Sequence, residues 1–229
     1  MSHKKRKKTS YDIPLENQGE HEKRLAELLE AETRAKAQLH ILFDISAAFS
    51  KEPNDKQLEM IDRQFFVKLE QFRHLLDDET APLTLVELKE VFMNWIQQYE
   101  EMFSALERRF LAECHEKLFH IADDPATAIE LCEKEDGLSL FRQPYDYEGY
   151  FDLLIDRSEL DASKNTLGSI LDFVTEVIYP SVKRDMIENI KTYFSAVSRL
   201  YQNTIENRYL ELSKAHLAWL KQFEKQALD

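Results

Sequence analysis

The sequence predicts an all-α protein, an elongated antiparallel helical bundle with coiled-coil-like long helices. Three observations carry that expectation. Only 4 glycines and 6 prolines punctuate 229 residues, too few turn-formers for a sheet protein of this length. Apolar residues recur at alternating three- and four-residue steps over most of the chain. The longest such stripe, from Thr166 to Ala227, would approach ~95 Å at the helical rise, too long to fold over a compact globule. With 43% hydrophobic residues the chain is able to bury a real core, while 32% charged residues leave long faces for solvent.

Residues 1–19 are polar, hold Pro14 and Gly19, and are expected to form a disordered tail. The first helix is placed from about Glu20 to Ser50, carrying Leu25, Leu28, Ala35, Leu39, Leu42 and Phe49, with Glu32 and Ser46 interrupting the stripe. Lys51 to Asp55 breaks it: Pro53 ends the helix, and Asn54 or Asp55 caps the next. The second helix aligns Leu58, Ile61, Phe65, Leu69, Phe72 and Leu76 before an acidic turn at Asp77, Asp78 and Glu79.

Thr84 followed by Glu87 is a capping-box signature for a third helix, whose stripe extends from Leu88 through Trp95, Tyr99 and Phe110 to Ile121. Its length at the helical rise is nearly ~60 Å. Asp124-Pro125 starts a short fourth helix ending at Gly137, and 138–165 form a tyrosine-rich connection. From Thr166 to the C-terminus the stripe resumes through Ile170, Val174, Met186, Ile190, Val197, Trp219 and Phe223. Pro180 falls inside it without the glycine or polar cluster of a turn, which predicts a kink in one long helix.

No constellation points to chemistry. Glu70 with His74, and Glu116 with His120, each set a carboxylate and an imidazole one turn apart, yet all four flank the apolar stripes on solvated faces. The Glu-x-x-His spacing of a di-iron bundle is missing. His40 and His216 adjoin stripes as core-edge residues, without an evident second partner for acid–base work. No phosphate-binding glycine loop, nucleophile elbow or Cys-x-x-Cys occurs. Neither a catalytic residue, a metal ligand nor a cofactor is therefore expected. Cys114 and Cys132 have no disulfide-framework spacing and are expected to be reduced and buried. No 18-residue apolar run occurs, and no apolar segment follows the N-terminal charges, so a cytoplasmic protein is expected.

Two segments remain as candidate binding sites. Lys4, Lys5, Arg6, Lys7 and Lys8 form a basic run on a chain of net charge -13; taking away its +5 leaves -18 for the rest. Such a run suits anionic lipid, nucleic acid, an import receptor or the protein's own acidic surface. The acidic field of the aromatic helices disfavours nucleic acid on the folded body. The second segment, 138–161, combines Tyr145, Tyr147, Tyr150, Phe151, Leu154 and Ile155 with interspersed acids, a composition suited to docking on a protein or to covering the bundle end. The expectation is thus a non-enzymatic interaction protein: an adaptor, scaffold or subunit with a protein partner. Self-association would use the C-terminal apolar positions from Met186 to Phe223. The alternative is a peripheral membrane protein held to anionic lipid by its basic tail.

Overall fold

The computed structural model describes residues 15–77, 85–119 and 164–228, together with Gly149. Every regular element among them is helical. Helix α1 spans Leu15–Phe49, α2 Asp55–Asp77 and α3 Leu85–Cys114, which continues through a π-helical turn at His115–Phe119. Helix α4, Lys164–Phe173, passes through a second π turn at Val174–Ile178 into α5, Tyr179–Leu228. The all-α bundle predicted from periodicity is the observed fold. Thr84, the short helix expected at 124–137, Cys132 and the segment 138–161, Gly149 apart, lie outside the described residues.

One boundary moves. Helix α1 begins at Leu15, ahead of the expected Glu20, and incorporates Gly19. A lone glycine costs a helix only about 1 kcal/mol, which the good helix formers around it offset. Lys4 to Lys8 remain outside the described residues.

The break after α1 is built as the residues suggest. Asn54 caps α2: its Oδ1 accepts from the Gln57 backbone N–H at 3.1 Å, and Gln57 Oε1 accepts in return from the Asn54 N–H at 3.0 Å. Arg109 of α3 reaches across this break. Its guanidinium donates to Glu52 at 2.6 Å and lies 4.7 Å from the centroid of the Phe49 ring.

Helices α1 and α2 behave as one interrupted rod. Their partners on α4 and α5 descend in sequence as they ascend: His21 meets Phe223, Glu32 meets His216, Phe49 meets Phe194, Phe65 meets Tyr179 and Arg73 meets Asp172. The order continues unbroken past Ser50–Asn54. Helix α3 spans the same interruption, with Leu118 against Gln38, Phe110 against Phe49 and Phe92 against Phe65. Three rods result: α1–α2, α3 with its π turn, and α4–α5.

Two aromatic blocks, one on each side of the break, tie the rods together. Phe49, Phe110 and Phe194 contribute one ring from each rod, with centroids 5.0 to 5.2 Å apart. Phe65, Trp95 and Tyr179 do the same farther along; Phe65 stacks on Trp95 at 4.8 Å and on Tyr179 at 5.6 Å. Each such ring removes a large apolar area from water, worth roughly 1.5–3 kcal/mol before geometry adds to it.

Pro180 does not end the last helix. The preceding π turn takes up its ring: the Tyr179 N–H bonds to Val174 O, five residues back, and the wider turn relieves the clash a proline makes with an α-helix. The apolar positions of α5 from Met186 to Ile205 are consumed within the chain. Met186, Ile190, Phe194, Val197, Tyr201 and Ile205 are all buried, so they leave no seam for a second copy. Farther along, only α1 and α5 of the described helices meet, and the contacts thin: Trp219 and Phe223 stay half-exposed around His21, while Leu210 and Leu217 face outward.

Candidate binding surface

At the level of the second aromatic block the rods share a buried polar centre. Asp62 of α2 is 7% exposed, a costly position for a carboxylate unless donors surround it. Trp95 Nε1 and the Tyr99 hydroxyl, one turn apart on α3, both donate to its Oδ1 at 3.2 Å. Lys183 Nζ of α5 donates to Oδ2. Lys183 also donates to the Tyr179 hydroxyl at 3.3 Å, and its ammonium lies 5.6 Å from that ring's centroid. One carboxylate thereby binds all three rods.

The proton states of this centre are set by its surroundings. Burial, reinforced by the Asp62 charge, pushes the Tyr99 phenol far above its ordinary value. Burial and Asp62 also raise Tyr179, although Lys183 pulls in the opposite direction. Burial alone would lower the Lys183 ammonium, but its bonds to Asp62 and Tyr179 outweigh that and raise it. Both phenols therefore keep their protons at neutral pH and the lysine keeps its charge. A general base or nucleophile needs the opposite tuning, toward a reactive form near neutrality. The centre is arranged to hold helices.

Two grooves back onto this centre. Between α2 and α3 lies one of about 660 Å³, floored by Phe65 and Trp95 and walled by Arg63, Gln64, Gln98 and Glu101. On the other side, a groove of about 790 Å³ follows α5 from Tyr179 and Lys183 to Arg199. Phe65 and Trp95 of the second aromatic block thus line the first groove, and Tyr179 with Lys183 lines the second. Among the described residues that line them, neither groove holds a pair of side chains tuned for proton transfer. Among the described residues, no three His, Cys, Asp or Glu side chains are grouped to bind a metal. No helix among them is long and apolar enough to cross a membrane.

The candidates drawn from sequence fall differently. Glu70 and His74 meet at 3.6 Å on an open surface, as their position beside the stripe implied. Glu116 and His40 are exposed, and His120 lies outside the described residues. Cys114 is buried and outside any disulfide, as expected. Tyr145, Tyr147, Tyr150, Phe151, Leu154 and Ile155, like the basic run at Lys4 to Lys8, lie outside the described residues. His216 proves to have an oriented partner after all: its Nδ1 sits 3.2 Å from Glu32 Oε1. The polar interruption at Glu32 is thus filled from α5.

Asp62 escaped the sequence reading, yet its signal is visible. Leu58, Asp62, Phe65, Leu69, Phe72 and Leu76 keep strict four-and-three spacing, which puts the carboxylate on the inward stripe. A buried tryptophan N–H and tyrosine O–H one turn apart also require an acceptor. No known protein family, curated protein or solved structure matches the chain.

Proposed function

We propose that this chain is a non-enzymatic helical interaction protein, an adaptor, scaffold or subunit that binds a protein partner. The observation that supports it is the closure of the polar centre: one groove ends on Phe65 and Trp95, the other on Tyr179 and Lys183, and the donors and acceptor of the centre behind them are already engaged. Surfaces of this kind present shape, apolar area and charge to a partner without presenting a reactive group. A cytoplasmic location belongs to the same proposal. If the chain self-associates through its C-terminal helix, the half-exposed stretch from Leu212 to Phe223 carries the contact, since the positions before it are occupied within the chain.

The test is co-purification from the native cell at low and moderate salt, using the full chain and a chain lacking residues 1–19. A stoichiometric protein retained by both supports the proposal. Recovery of lipid alone, lost with the tail, would instead assign the function to Lys4–Lys8 and a membrane surface.

A further inference from the structure

We propose that the groove along α5 receives an acidic, partly apolar segment of the partner protein; this rests on the reading of the chain as a protein-binding module. The apolar part of the groove is supplied by half-buried Ile187 and Ala196, with Tyr179 and Pro180 closing one end. Lys183, Arg184, Lys191 and Arg199 line it, opposed by Glu188 among its lining residues. That balance is the reverse of the chain as a whole, whose net charge is -13.

The four cations are not equivalent. Lys183 is held by Asp62, and Arg184 donates to Ser181 Oγ at 3.3 Å and lies 3.6 Å from Asp185. Lys191 and Arg199 are exposed, and neither has an acidic partner within ion-pair distance among the described residues. Arg199 has only Ser195, Ala196, Gln202 and Asn203 one turn away in either direction. Their eight-residue separation sets them about 12 Å apart along the axis, roughly two turns, with Ala196 between them and Ile187 one turn before Lys191.

This geometry selects a narrow occupant. Carboxylates spaced at two helical turns, or four residues apart on an extended strand, reach both cations while apolar side chains between them cover Ala196 and one beyond the first covers Ile187. A phosphate backbone or an anionic bilayer would bring its charge against a chain of net charge -13 as well as against the groove. A protein segment sets a few acids where the cations are.

The experiment is fluorescence anisotropy on the full chain with three labelled 18-residue amphipathic peptides. They share one leucine face and carry glutamate, glutamine or lysine on the other. The glutamate peptide is expected to bind most tightly, with an affinity that falls as salt rises. Combined Lys191→Glu and Arg199→Glu should weaken it by about 10-fold or more without altering the far-UV circular dichroism, since both side chains are exposed. Equal binding of the three peptides, or an affinity unchanged by the double reversal, overturns the proposal. So does binding of phosphatidylserine vesicles or a single-stranded oligonucleotide that the double reversal abolishes, which would name a different occupant. A native partner retained by the reversed chain refutes the groove assignment alone. If even the unmodified chain retains no protein, the protein-binding reading itself fails.

Discussion

Asp62 carries more of the architecture than its size suggests, because three donors from two other rods end on one side chain. Asp62→Ala would leave the Trp95 N–H, the Tyr99 hydroxyl and the Lys183 ammonium without their acceptor in a largely dry site. A loss of about 3–5 kcal/mol is expected, measured by denaturant melts, whereas Asp62→Asn retains an acceptor and should lose less. The same centre makes a pH prediction. Tyr99, Tyr179 and Lys183 all titrate higher in the folded chain than their ordinary values near 10. Their contribution is fully present below about pH 10 and is lost as pH rises above it, because the unfolded chain releases its protons first. Tyr99→Phe removes one of these protons and one hydrogen bond to Asp62. The variant should start less stable at pH 7 and show a shallower alkaline decline, as read from unfolding free energy between pH 8 and 11.

Among the elements, what sequence could show depended on whether the signal was local. The break at Ser50–Asn54 was legible because Pro53 and the capping Asn54 carry it in consecutive residues. The π turns were not: the one at Val174–Ile178 accommodates Pro180, and the one at His115–Phe119 lies where Gln38 of α1 donates to Leu118 O at 3.3 Å. Neither the widening of a turn nor a capping side chain 80 residues away leaves a periodic trace. Helix α4 offers a clean test of its own construction. Gly168 sits within it, and an added Cβ would meet nothing within 4 Å. Gly168→Ala should therefore stabilise the chain by about 0.5–1 kcal/mol in a thermal or denaturant melt, by restricting the unfolded state.

For the whole molecule, the apolar stripe of α5 showed that a long seam exists but not which helix fills it, since periodicity is the same for an intrachain and an intermolecular neighbour. The rings resolve this. Phe194 touches Phe49 and Phe110, and Val197 is fully buried beside them, so the seam belongs to one chain. Val197→Asp places a charge there without a partner. Loss of the cooperative melt is expected, and by circular dichroism it should be independent of protein concentration; recovery at high concentration would mean an intermolecular seam. The groove between α2 and α3 was hidden from sequence for a related reason: its rings, Phe65 and Trp95, come from separate rods. The proposal that the molecule works by presenting surfaces to a protein is tested most directly by zero-length carbodiimide cross-linking in a native extract, followed by mass spectrometry. Lys191 is expected to be joined to an aspartate or glutamate of one other protein at near-stoichiometric yield. Cross-links confined to this chain, or to other proteins only through Lys4–Lys8, would contradict it.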